Sequence, residues 1–155
     1  MLETTLCYID RGDALLLLHR VGKKDDVNAG KWLGIGGKLE AGESPEACLL
    51  REVREETGLT LTAYEYRGIV DFQSDGWSER MHLYTATEAT GSLTDCDEGD
   101  LKWMPKDEVK DLPMWEGDRV FFQLLRDGEP FFHLKLSYDG EKLIGAELNG
   151  AALEL

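Results

Sequence analysis

Residues 37–59, GKLEAGESPEACLLREVREETGL, decide how the rest of the chain is read. Ser44 is a good N-cap, Pro45 a good first helical residue, and Gly58 the glycine that ends a helix in the left-handed conformation. A helix is therefore predicted over residues 45–57. Ala47, Leu50 and Val53 recur at helical spacing and are expected to face the core. Glu52 stands beside both Glu55 and Glu56, at spacings of three and four. Like charges so placed cost an isolated helix roughly 0.2–0.5 kcal/mol per pair. A solvated acidic helix is the bland reading. The sharper one is that the carboxylates hold a cation, and a hard divalent ion with oxygen ligands suits them: Mg²⁺ first, with Mn²⁺ as a substitute.

Working outward, residues 31–39 (KWLGIGGKL) are too rich in glycine for a stable helix. Gly34, Gly36 and Gly37 let the backbone approach a ligand closely. Upstream, residues 3–10 and 14–20 read as strands joined by Arg11-Gly12-Asp13, and residues 21–30 as a polar loop. Downstream, strands are expected at residues 59–72 and 80–88, with a loop at 73–79 between them. An acidic loop follows at 90–100, a short strand at 101–104 and a helical turn at 105–110. A second helix over residues 115–126 places Val120, Phe121, Leu124 and Leu125 at core spacing. Residues 131–138 and 142–148 form a hairpin around Asp139-Gly140. Mixed strands with two well-separated helices predict a layered α/β fold in a single domain, residues 1–155.

Composition narrows the function. The 155 residues include 31 acidic and 17 basic ones, a net charge of −14. So acidic a surface argues against a nucleic-acid polymer as partner. A small phosphorylated ligand stays compatible, because a bound metal reverses the local sign. The apolar run at residues 14–18 is far too short to span a membrane. The opening MLETTLCYID has no basic head of the kind a signal peptide carries. Cys7, Cys48 and Cys96 are scattered and read as free thiols, so a cytoplasmic location is expected. None of His19, His82 and His133 has metal-ligand spacing to another.

The order Gly37, five residues, Glu43, seven residues, Arg51-Glu52, Val53, one residue, Glu55-Glu56, one residue, Gly58 and Leu59 resembles the Nudix box of the MutT/Nudix hydrolases at every position. Chance agreement is on the order of 10⁻⁹ per starting position. The resemblance implies an α/β/α sandwich with a mixed β-sheet. It implies attack of water on an inner phosphorus, releasing a nucleoside monophosphate and pyrophosphate. It makes Glu52, Glu55 and Glu56 metal ligands, with the backbone carbonyl of Gly36. It adds Glu98, just before a strand ending in Trp103, as a further ligand or the base. Glu52 and Glu98 both remain candidates for the general base. Glu43 is expected to order the loop–helix junction. Arg51 either orients Glu55 or forms a purely structural ion pair. Arg20 and Lys38 are candidate phosphate contacts, with Gly37 letting the backbone come close; for Arg20 a surface strand-end charge is the competing reading.

Beyond the box the chain looks like the 8-oxo-dGTP diphosphatases, in particular a bacterial MutX-like branch sharing Trp115-Glu116-Gly117-Asp118 and the stretch Pro130-Phe131-Phe132. The residues by themselves favour Trp115 as a core side chain and Asp118 as a first-turn acid. The resemblance instead implies that Trp115 stacks on the base, Asp118 binds the purine edge and Thr5 lines the base pocket. Two departures from mammalian relatives are Leu33, where they carry a purine-reading Asn, and Gly117 before Asp118, where they carry adjacent aspartates. "Purine nucleoside triphosphate" is thus firmer than "oxidised guanine". The competing expectations are hydrolysis of a nucleotide sugar or dinucleotide such as ADP-ribose, and a non-catalytic nucleotide sensor. The expected partner is a small nucleotide, the expected state a monomer or homodimer.

Overall fold

The computed structural model describes residues 1–21 and 25–155. Residues 22–24, within the loop expected at 21–30, lie outside the described residues. Among the described residues the order is β1 (Leu2–Asp10), β2 (Ala14–His19), β3 (Trp32–Leu33), β4 (Ile35–Lys38), α1 (Pro45–Thr57), β5 (Thr60–Ser74), β6 (Trp77–Thr90), β7 (Asp100–Pro105), α2 (Glu116–Arg126), β8 (Phe132–Asp139), β9 (Lys142–Leu148) and β10 (Ala151–Ala152). A 3₁₀ turn, Val109–Asp111, precedes α2. No described helix is long and apolar enough to cross a membrane.

Strand β1 is the hub. It runs parallel to β6 from Leu2 to Ile9. Its other edge is shared: Thr4 to Cys7 pair antiparallel with β4, and Ile9 and Asp10 with β2. Strand β5 pairs antiparallel with β6 and parallel with β8, and β8 with β9 as a hairpin. The sheet is therefore mixed. Side chains alternate across it. Tyr8 packs in a cluster with Phe121 and Phe122 of α2, while Cys7 and Ile9 pack in another with Leu49 and Val53 of α1. One helix covers each face, the α/β/α arrangement expected. Burying a side chain such as Phe121 or Leu49 contributes roughly 1.5–3 kcal/mol.

Helix α1 has the bounds its caps predict: the Ser44 hydroxyl accepts from Ala47 N–H, and Gly58 takes φ 81°. Its buried face differs from the expected one. Ala47 is exposed, and Cys48 and Leu49 join Val53 in the interior. The helix lies close against β4, where a Cβ on Gly37 would meet the Glu52 side chain. In α2, Phe121 and Phe122 are buried, Val120, Leu124 and Leu125 are half-buried, and Trp115 is the N-cap.

Two stretches read as irregular are strands. Residues 31–39 contain β3 and β4. Residues 73–79 are not a loop: Ser74 pairs with Trp77, and the turn shrinks to Asp75-Gly76, with Gly76 at φ 72°. An Asp-Gly pair between two strand-like runs is itself a hairpin signal.

Candidate active site

The glycines of β4 set the first contacts. A Cβ on Gly36 would collide with the backbone of Thr5, and one on Gly37 would lie 2.5 Å from Cδ of Glu52. Helix α1 thereby brings its carboxylates against the strand. Glu56, buried, accepts from Gly36 N–H at 3.2 Å.

Arg51 organises the loop before the helix. It donates to both oxygens of Glu43 (2.8 and 2.9 Å), to Glu52 (2.6 Å), to Glu55 (3.1 Å) and to the carbonyl of Lys38 (3.1 Å). Glu43 also accepts from Glu40 N–H at 3.0 Å. These bonds, Arg51's first, lower the Glu43 pKa to about 2. Arg51 thus joins the junction to two of the acids.

The remaining acids crowd one another. Burial, then the adjacent Glu98 carboxyl and the charge of Glu52, push Glu56 up to about 9. Burial also raises Glu52. Glu98 accepts from Arg20 at 3.3 Å, and Arg20 donates to Asp26 at 2.8 Å. Arg20 is therefore already engaged by two carboxylates. Among the described residues no three acidic, His or Cys side chains form a ready metal cage. The donors are nevertheless all oxygens, and Arg51 and Arg20 offset only part of their mutual repulsion, since Glu56 stays raised by Glu98 and Glu52. That chemistry fits a hard divalent ion which completes its shell with water and substrate.

A cleft of about 940 Å³ runs from these acids to α2. It is lined by Arg20, Gly36, Gly37, Lys38, Arg51, Glu52, Glu56 and Glu98, and by Thr5, Leu33, Trp115 and Asp118. Glu55 is not among its walls; its side chain is exposed and tied to Arg51. Trp115 is fixed by a hydrogen bond to Asn28 (2.7 Å), by the Lys31 ammonium 4.4 Å from its ring centre, and by the edge of Tyr138. The hydroxyl of Thr5 shares a 3.4 Å contact with Cys48 on the α1 side of the sheet. Its neighbour Thr4 points the other way, donating to Glu79 at 2.6 Å. Asp118 is buried, and its pKa rises to about 7 through burial and the charge of Glu79.

The NUDIX domain profile matches residues 2–125. The chain belongs to the Nudix family. This Nudix hydrolase is 34% identical over 132 residues to the oxidized purine nucleoside triphosphate hydrolase of Danio rerio, covering 84% of this chain and 82% of the fish protein. It is 30% identical over 133 residues to the CTP pyrophosphohydrolase of Escherichia coli K12, covering 84% and 97%. It superposes on the crystal structure of the mutator MutT protein from Bacillus halodurans with a TM-score of 0.87 at 31% identity, covering 96% and 98%. The protein is thus a hydrolase of the MutT type, in a family that generally uses divalent metal ions.

Thr4, Glu79 and Tyr138, none of them singled out by the sequence, also line the cleft. Glu79 belongs to β6 rather than to the loop expected at residues 73–79, and the Asp75-Gly76 turn is the sequence signal for it.

Proposed function

We propose that this MutT-type hydrolase is a Mg²⁺-dependent pyrophosphohydrolase of purine nucleoside triphosphates, acting on 8-oxo-dGTP and related oxidised purines. The observation that carries this reading is the single cleft joining the acidic end of α1 to Trp115 and Asp118. A triphosphate at one end leaves its base at the other. Similarity to the Danio rerio enzyme supports the same reading.

Glu52, Glu55, Glu56, Glu98 and the Gly36 carbonyl would hold the metal. Bound there, it would offset triphosphate charge and lower the pKa of the attacking water. Arg51 keeps Glu52 and Glu55 in place against β4. Glu52 or Glu98 accepts the proton of the water, which must lie within hydrogen-bond reach. The oxygen of water bonds to an inner phosphorus, the P–O bond bridging the α- and β-phosphoryl groups breaks, and the departing fragment keeps the bridging oxygen and the electron pair, giving the monophosphate and pyrophosphate. Arg20 and Lys38 steady the phosphates, Gly37 leaves room for them, and Trp115 and Asp118 hold the base.

Pyrophosphate release with Mg²⁺ tests this across 8-oxo-dGTP, dGTP, dATP, 2-hydroxy-dATP, CTP and ADP-ribose. A preference for 8-oxo-dGTP in kcat/KM is expected. Turnover confined to ADP-ribose or to CTP would overturn the substrate assignment, and binding without turnover would make the protein a sensor.

A further inference from the structure

We infer that Glu79 is a specificity-determining residue whose carboxylate, seated by Thr4 and sharing the base end of the cleft with Asp118, reads the N–H groups on the Watson–Crick edge of a guanine-class base. This rests on the proposed triphosphatase reading of the same cleft.

Glu79 lies on β6 two residues before Met81 and four before Leu83, so all three point to the α2 face. One carboxylate oxygen accepts from Thr4 at 2.6 Å. No described protein group donates to the other oxygen. The carboxylate of Asp118, a residue 6% exposed, makes no hydrogen bond among the described residues either, and it lines the same cleft. The cations that act on it at a distance are already occupied. Arg119 donates to the carbonyls of Lys110 and Leu112, and Lys31 to Glu141. The Tyr138 hydroxyl accepts from Gly117 N–H and keeps its own O–H as a donor.

The base end therefore holds two carboxylates, Glu79 and Asp118, with acceptor capacity to spare, beside the Lys38 ammonium that acts on Glu79. Carboxylate oxygens that face a cleft without a protein donor suit a ligand that brings N–H groups. Guanine presents N1–H and the 2-amino group side by side, a pair of donors matching one carboxylate. Adenine offers its 6-amino group beside an acceptor nitrogen, and cytosine does the same with its 4-amino group. 8-Oxoguanine keeps the guanine edge, so Glu79 separates guanine from adenine rather than oxidised from normal guanine.

The test is kcat/KM of the full chain and of Glu79→Gln on dGTP, dITP and dATP with Mg²⁺, beside thermal melts of both proteins. In the variant the amide oxygen keeps Thr4, and its NH₂ turns toward the base, donor against donor. The dGTP-to-dATP ratio should fall at least about tenfold, as expected for one charge-assisted hydrogen bond. The wild type should favour dGTP over dITP, which lacks the 2-amino group. Equal losses on all three substrates, as a structural role gives, or an unchanged ratio would overturn the inference. If the wild type hydrolyses no nucleoside triphosphate, the proposed function fails separately. Calorimetry with GMP and AMP then decides on Glu79, and a guanine preference that Glu79→Gln leaves intact would sink the assignment.

Discussion

Gly37 rests against Glu52, with no space between the strand backbone and the helix carboxylate: a Cβ at position 37 would stand 2.5 Å from Cδ of Glu52. Gly37→Ala must push that side chain away from β4. Turnover should fall by about a hundredfold, the scale expected when a reacting group moves by about 1 Å. Steady-state kinetics with Mg²⁺ and a urea titration check this. Unchanged kcat would show that the position of Glu52 does not matter.

Glu56→Gln keeps the size of the side chain and an oxygen to accept from Gly36 N–H. The metal-free melting temperature should therefore stay within a few degrees, while Mg²⁺-dependent turnover and the Mg²⁺-induced rise in melting temperature disappear. Glu55→Gln, on an exposed side chain, should do the same to turnover. Full activity in both variants would remove the case for a metal on this helix.

Arg51 gathers Glu43, Glu52, Glu55 and the Lys38 carbonyl. Truncation to Ala leaves Glu52 and Glu55 without that partner and Glu43 with only the Glu40 N–H, and about 1–2 kcal/mol of stability should be lost. Lys at this position keeps the charge but not the fork, so it should recover only part of the loss. Chemical denaturation of the three proteins measures the difference.

Asp118 carries a pH dependence of definite sign. Its pKa is raised in the folded state from 3.8 to about 7, by burial and then by Glu79, against the weaker opposing fields of Arg119 and Lys31. The folded state binds the proton more tightly than the unfolded chain. Stability therefore falls as pH rises from about 4 to about 7, and is level above that. Asp118→Asn removes this slope. Its stability relative to wild type should improve by about 1–3 kcal/mol between pH 4 and pH 8. The cluster glutamates titrate in both proteins and cancel in the comparison. A pH-independent difference would contradict the assignment.

Helix α2 has Trp115 as its N-cap, which offers no side-chain cap, and the Tyr138 hydroxyl accepts from Gly117 N–H at 2.7 Å in its place. Tyr138→Phe leaves that N–H unpaired in the interior, at a cost of about 1–2 kcal/mol. Because Trp115 and Asp118 flank Gly117, KM should rise more than kcat falls. A thermal melt and a substrate titration read the two effects.

Much of this molecule was legible before any coordinates. Ser44, Pro45 and Gly58 delimited α1, Asp139-Gly140 marked the β8–β9 hairpin, and the spacing of Glu52, Glu55 and Glu56 pointed to a cation. Those signals act within one helical turn or one hairpin, so local sequence suffices to read them. Tertiary structure alone decided which face of α1 is buried, because that depends on how closely β4 approaches it. It alone joined Glu98 to Arg20, and Thr4 to Glu79, 75 positions away. Contacts of that separation follow from the order of strands in the sheet. A parallel β1–β6 pairing, its two strands connected through α1 and β5, leaves no periodic trace in either strand by itself.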